Sequence, residues 1–251
     1  MMATSMGRQH HKSSKSKPAT QNRVMVANLN PGLVTAEFAQ GLALLSLENP
    51  HGAIVGTLFT RATRAAAGRN TAIRRFLEDG DAEWLLWIDS DMVFDAAAFK
   101  VIYDEAVNNP DVKISAGLCF MWDEGTHTIL PNIFHRKGNV YESDRFYTPG
   151  ERFWCDATGV AFVLIHKDVF EAVGYPWHQD WFEHPELGGE LSHDISFFHE
   201  AGKHGFRVRY CADAKVGHVK SWQVHESSYA QQLAIQREIL DGVVEGEVVD
   251  V

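Results

Sequence analysis

Cysteine is scarce in this chain, with three residues in 251, at positions 119, 155 and 211. An odd, widely spaced set without Cys-x-x-Cys excludes a disulfide framework and a thiolate metal site, and fits a reducing compartment. Long apolar runs are missing too. No stretch approaches the about 18 residues needed to span a bilayer, and the N-terminus lacks the apolar core of a secretory signal. Positive charge is in deficit: 23 Lys and Arg stand against 33 Asp and Glu, a net charge of −10. Nucleic-acid surfaces draw their affinity from Lys and Arg on phosphates, so a nucleic-acid partner is not expected. The thirteen His form no His-x-x-x-His or His-Glu-x-x-His. His193, His199 and His204 are spaced by six and five, on different faces of a helix, which argues against a zinc hydrolase. These absences describe a soluble, cytoplasmic protein with no transmembrane segment.

What is present is core-forming material. Hydrophobic residues make up 45% of the chain, with seven Trp and fifteen Phe, enough for a sizeable domain with an aromatic-rich core or cleft. The apolar run Trp84-Leu85-Leu86-Trp87-Ile88 reads as a strand buried on both faces of a parallel sheet. It leads into Asp89-Ser90-Asp91. Two carboxylates at the carboxyl end of such a strand lie where open α/β sheets bind ligands. Period-two geometry points Asp89 and Asp91 to one side, where they repel unless a cation joins them. Mg²⁺ or Mn²⁺ is the natural ion, shared with the phosphates of a nucleoside diphosphate. Taken alone, a bare Asp-x-Asp is equally compatible with solvated loop charges.

Around this strand the pattern alternates. Residues 1–21 are Ser-, Lys-, His- and Gln-rich and read as a disordered polar tail. Val24–Ala27 is a first strand, and Thr35 is the N-cap of a helix through about Leu45. Ala53–Leu58 is a second strand, Ala65–Leu77 a helix, Ala96–Val107 another and Val112–Leu118 a fourth strand. This order predicts an α/β fold with a mainly parallel, doubly wound, Rossmann-like sheet whose ligand crevice lies at its carboxyl edge. The second half is less regular. It holds hairpins over 132–147, a strand at Val160–Ile165, a short helix at Ile195–Gly202 and a strand at Phe206–Tyr210. The main domain is expected over 22–225, with a helix over 226–240 and an acidic tail making up 226–251.

Four segments, in order, resemble the nucleotide-sugar-dependent glycosyltransferases of family 2, with the A-type fold, especially short bacteriophage-encoded members. They are Ala67-Gly68-Arg69-Asn70, the strand Leu85 to Asp91, Asp156-Ala157-Thr158-Gly159 with the apolar run to Ile165, and His193-Asp194 followed by Gly205-Phe206-Arg207-Val208 and Gly217-His218. Together they cover roughly residues 23–220. One departure stands out: the family's glutamate before the second catalytic aspartate is His193 here.

The resemblance implies a metal-dependent transferase acting on a UDP- or GDP-sugar, with a protein or glycan acceptor, in the cytoplasm of a bacterial host. It implies Asp89, Asp91 and His218 as ligands of Mn²⁺ or Mg²⁺, and Asp194 as general base of an inverting displacement. Asn28, Asn30, Arg61, Arg69, Asn70 and Asp89 fall on the donor side, and Trp154, Asp156 and His193 on the acceptor side. Local chemistry offers plainer readings for some of these. Ser192 is a good N-cap, and an Asp in the first helical turn is favoured by the helix dipole without any catalytic role. A retaining transferase on the same fold and a non-catalytic carbohydrate-binding protein are the alternatives. A sugar nucleotidyltransferase is disfavoured, because Asn28-Leu29-Asn30-Pro31-Gly32 lacks a Gly-rich loop with a cation for a triphosphate.

Overall fold

The computed structural model describes residues 22–30, 32–123 and 128–220, together with Leu233, Ala234 and Arg237. The chain divides into two units, Met1–His218 and Val219–Val251. In the second, Leu233, Ala234 and Arg237 are helical, and the rest of the helix expected over 226–240 lies outside the described residues. No described helix is long and apolar enough to cross a membrane.

In the first unit, β1 (Val24–Leu29), α1 (Ala36–Glu48), β2 (Ile54–Thr60), α2 (Ala65–Asp79) and β3 (Trp84–Ile88) alternate. The short β4 (Met92–Val93), then α3 (Ala96–Asn108) and β5 (Ile114–Leu118), close the first half. Two hairpins follow, β6 (Phe120–Asp123) with β7 (Thr128–Pro131), and β8 (Ile133–Lys137) with β9 (Val140–Ser143). After them come β10 (Arg152–Cys155), β11 (Ala157–Thr158), β12 (Phe162–His166) and α4 (Lys167–Val173). The unit ends with α5 (His193–Lys203), β13 (Val208–Lys215) and β14 (Gly217–His218).

The main sheet has the strand order β10-β13-β5-β12-β3-β1-β2. β1 is parallel to β2 and β3, and β13 to β5. β12 runs antiparallel between β3 and β5, and β10 is antiparallel to β13. The sheet is therefore mostly parallel, with five strands in one direction and two reversed, in keeping with the mainly parallel sheet expected from the sequence. The simple βαβ progression of the sequence does not anticipate β12, which enters from the second half and separates β3 from β5. Its first four residues, Phe162–Ile165, are apolar enough to be buried in mid-sheet in either direction, so composition alone does not orient it.

Period two along the strands sorts the core into two layers. Leu85 and Trp87 of β3 join Met25, Ala72, Ile73, Phe76 and Phe197 on the side of α2 and α5. Trp84, Leu86 and Ile88 join Phe38, Leu45, Phe99 and Ile102 on the side of α1 and α3. All five residues of β3 are buried, each contributing about 1.5–3 kcal/mol by leaving water. The helices start where the chemistry directs. Thr35 caps α1 by accepting from Phe38 N–H, Asp95 caps α3 by accepting from Ala98 N–H, and Ser192 caps α5 by accepting from Ile195 N–H. At Gly68 a side chain would stand 2.5 Å from Leu29 Cδ2 and 2.8 Å from Ala62 Cβ. Only glycine lets the first turn of α2 lie so close over the end of β1, and that approach sets the position of the next residue, Arg69.

Candidate active site

The site is assembled where β3 ends. Asp89 continues the strand alternation toward the α2 and α5 side, and there it meets Arg69. Arg69 is buried, with its guanidinium 5.0 Å from the centre of the Trp87 ring. Its Nη2 donates to Asp89 Oδ1 at 3.1 Å, and its Nε lies 3.3 Å from Asp194 Oδ1. One cation thus bridges two carboxylates from different elements. Burial alone would weaken the Arg69 charge, but Asp89 and Asp194 more than offset it and hold its proton more tightly than usual.

The two carboxylates respond differently. Burial raises the proton affinity of Asp89, Arg69 opposes this, and repulsion from Asp194 and Asp91 adds to it, leaving its pKa above the ordinary value. Burial acts the same way on Asp194, but Arg69, then His193 and His178, overcome it and hold its pKa far below the carboxylate range. Asp194 Oδ2 accepts from Val160 N–H at 3.0 Å. Its Oδ1 lies 2.7 Å from His193 Nδ1, at an angle outside hydrogen-bond geometry.

Asp91 takes another path. Met92 N–H donates to Asp89 O at 3.2 Å, so the chain turns immediately after β3. The period-two expectation that Asp89 and Asp91 point the same way therefore fails at the turn. Asp91 instead faces His218, whose Nε2 is 2.9 Å from Asp91 Oδ2. The antiparallel pairing of His218 with Met92, between β14 and β4, brings these side chains together across 127 residues of sequence. His218 Nδ1 lies 3.0 Å from the Phe120 carbonyl oxygen. A carbonyl only accepts, so Nδ1 carries the hydrogen and the Nε2 of the neutral ring presents a lone pair to a carboxylate. Two acceptors at that distance repel unless a proton or a cation lies between them. An imidazole whose far N–H is tied to a carbonyl is also the usual arrangement of a metal-ligating His. The residues present therefore fit a divalent ion at Asp91 and His218, with Asp89 neighbouring the pair but held by Arg69.

The remaining predicted residues are placed as follows. Asn28 is buried beneath the site. Its Nδ2 donates to Ile88 O at 2.7 Å, tying β1 to the end of β3, while its Oδ1 is buried without a partner. Asn30 Oδ1 accepts from Gly32 N–H at 2.7 Å in the exposed loop after β1. The exposed Arg61 guanidinium packs over this loop, 3.1 Å from where a Gly32 side chain would begin. Both ends of the Asn70 amide bind the backbone of His178, at 2.8 and 2.9 Å, so this side chain holds the 174–192 segment against α2. His193 opens α5 beside Asp194.

Two residues assigned to the acceptor side are not brought to this group. Trp154 is on the edge strand β10, four strands or about 19 Å of sheet from β3, with Arg209 stacked on its ring. Asp156 is bound by Arg136 N–H at 2.9 Å and Arg207 Nε at 3.3 Å. It faces a separate cleft of about 350 Å³ lined also by Tyr141, His199 and Lys203. The Gly159 of the same motif is needed for close approach, since a side chain there would collide with the Asn132 amide that accepts its N–H.

Sequence reasoning missed His178. It is buried, and its Nδ1 donates to the His193 carbonyl at 3.1 Å. Burial is the main cause that lowers its pKa, to about 3. Its links to the site, to Asn70 108 residues away and to the His193 carbonyl, are made by the fold, and no local signal marks it. The structure also gathers His184, His199 and Glu200, with potential ligand atoms within 4.8 Å of one another. His184 Nδ1, however, accepts from the Glu186 and Leu187 N–H groups, both at 3.3 Å, so its Nε2 carries the proton and is not free to ligate.

No protein-family model matches the chain, and no curated protein matches it. Solved structures do. The GalNAc-T7 structure with UDP, GalNAc and Mn²⁺ aligns with a TM-score of 0.55 at 9% identity, over 82% of this chain and 45% of that one. A197 from STIV aligns at 0.49 and 18% identity, over 81% of this chain and 100% of that one. A glycosyltransferase involved in glycosylation of the major capsid of PBCV-1 aligns at 0.39 and 13% identity, over 85% and 99%. The last two fall below the level at which a likeness carries weight. The first shows that the chain has the A-type glycosyltransferase fold.

Proposed function

We propose that the chain is a metal-dependent glycosyltransferase that moves a sugar from a nucleoside diphosphate, UDP or GDP, to a hydroxyl of a protein or glycan. The observation that carries this is the Asp91–His218 pair at the carboxyl end of β3, with His218 Nδ1 tied to the Phe120 carbonyl. Asp91 and His218 would hold the ion, and the imidazole favours Mn²⁺ over Mg²⁺. Such an ion would supply neutralisation of the charge that builds on a departing diphosphate. The presence of UDP and Mn²⁺ in the GalNAc-T7 structure, which shares the fold, supports the same donor class.

The chain's own residues supply the rest. Arg69 binds Asp89 and helps to hold Asp194 ionised. Asn28 ties the loop after β1 to the end of β3, and Asn30 and Arg61 border that loop beside the donor. Inversion requires one proton acceptor beside the incoming hydroxyl, and the His193–Asp194 pair is the group of that kind. Asp194 alone is a weak base, because Arg69 and Val160 N–H already stabilise its charge. That weakness favours a second reading, transfer with retention of configuration, which needs no such base.

The test is thermal stability against a panel of nucleoside diphosphates with and without Mn²⁺, for wild type and Asp91→Ala. A ligand that binds only the native state raises the midpoint by mass action. A Mn²⁺-dependent rise with one nucleotide, lost in the variant, is the expected result. No rise with any nucleotide overturns the proposal. The anomeric configuration of the product, read by NMR, separates inversion from retention.

A further inference from the structure

We propose that His193 is the general base of the transfer and that Asp194 is the residue that positions it, an assignment that rests on the function proposed above. The sequence replaces the family's glutamate with an imidazole at this position, and the structure gives that ring an orientation. The backbone of His193 is anchored on both sides. Its N–H donates to Asp180 Oδ1 at 3.1 Å, and its carbonyl accepts from His178 Nδ1 at 3.1 Å. Its Nδ1 lies 2.7 Å from Asp194 Oδ1, and its side chain is 18% exposed.

With Nδ1–H turned to Asp194, Nε2 carries the lone pair. The present angle of approach is loose, as hydrogen bonds of catalytic groups often are before substrate binds. Asp194 cannot swing away, since its other oxygen accepts from Val160 N–H and Arg69 Nε lies 3.3 Å from Oδ1. The charged and titratable groups around the ring are Asp194 on its own helix, Asp180 and His178 from the segment before it, and Arg69 of α2 behind Asp194. Other candidates are occupied. Asp89 is bound to Arg69, and His178 is buried with its Nδ1 donating.

The step balances simply. The acceptor O–H gives its proton to His193 Nε2 as the oxygen bonds to the anomeric carbon. The bond from that carbon to the diphosphate oxygen breaks, and the nucleoside diphosphate leaves with the electron pair. The resulting imidazolium faces Asp194 and later releases its proton to water. Imidazole is the side chain that exchanges protons near neutral pH.

The experiment is the pH profile of kcat/KM for cleavage of a panel of UDP- and GDP-hexoses in Mn²⁺, with water as acceptor. It compares wild type with His193→Gln and His193→Glu, and nucleoside diphosphate binding is measured alongside. His193→Gln is expected to lose about 10²–10⁴-fold in rate while binding the nucleotide as wild type does. His193→Glu is expected to recover part of that rate, with the acid limb of the profile moved to lower pH. A wild type that cleaves donor, with a His193→Gln variant that keeps its rate and profile, overturns the base and leaves the proposed function standing. Failure of wild type both to bind any nucleoside diphosphate and to cleave any donor overturns both.

Discussion

Asp89 and Asp91 are separated by one residue and are chemically identical, yet the fold uses them in opposite ways. Asp89 is compensated by a buried protein cation, Arg69, which also faces Asp194. Asp91 faces the Nε2 of His218 at 2.9 Å, an imidazole whose other nitrogen is tied to the Phe120 carbonyl. The first carboxylate is held by the protein's own cation, and the second is the one proposed to hold an ion with His218. The difference arises from a single turn after β3, which leaves Asp89 on the α2 face and carries Asp91 to β14. Residue type and spacing therefore do not define a metal site until the partners are known.

Removing the cation breaks this comparison most severely. Arg69→Met leaves the part-buried Asp89 and Asp194 without their counter-charge, and up to about 3–5 kcal/mol of stability is expected to be lost, read from denaturant unfolding. The Asp91 side should behave in the reverse manner. Asp91→Asn and His218→Ala are each expected to change stability by less than about 1 kcal/mol. Each should weaken Mn²⁺-dependent nucleotide binding by more than the about 10–100-fold typical of losing an outer-shell partner, measured by calorimetry. An equal stability loss at both carboxylates would erase the distinction.

A smaller effect separates the two sides by pH. His178, on the Arg69 side, has a folded pKa of about 3, below its unfolded value. Below about pH 6.5 the unfolded chain binds a proton that the native ring refuses, so stability falls as pH drops from there. By pH 5 this amounts to about 2 kcal/mol. His166 and His184, whose pKa values are also lowered chiefly by burial, act in the same direction. The test is therefore the difference between wild type and His178→Phe, which should show the shallower loss. Asp194 adds a further loss only at lower pH, because a depressed carboxylate stabilises above its unfolded pKa and ceases to as pH falls.

The two halves of the chain differ in how much of this was legible. In the first half, β3 appears at Trp84–Ile88 and α1 begins after Thr35, both as read from pattern and cap chemistry. These depend on neighbours in sequence: alternation, capping residues and a strand too apolar to be exposed. Helix ends extend one to three residues further than expected, α1 to the Asn49-Pro50 stop, α2 to Gly80 and α3 to Asn109-Pro110. In the second half, the antiparallel insertion of β12 could not be read, since strand direction depends on how a chain returns rather than on what it contains. The placing of Trp154 and Asp156 away from β3 could not be read for the same reason.

By itself the sequence determined the alternation of the first half, the buried strand that ends in Asp89-Ser90-Asp91, and the ordered motifs that mark the A-type fold. Those properties reside in hydrophobic period and local hydrogen bonding, which act over a few residues. Only the tertiary structure decided that Arg69 bridges Asp89 and Asp194, that Asp91 meets His218, and that His193 lies against Asp194. Each of the first two pairings joins segments at least 20 residues apart in sequence. The third joins neighbours whose roles are set by Arg69 and Val160, from distant parts of the chain. Electrostatic partners of buried groups are chosen by packing, and packing is a property of the whole fold.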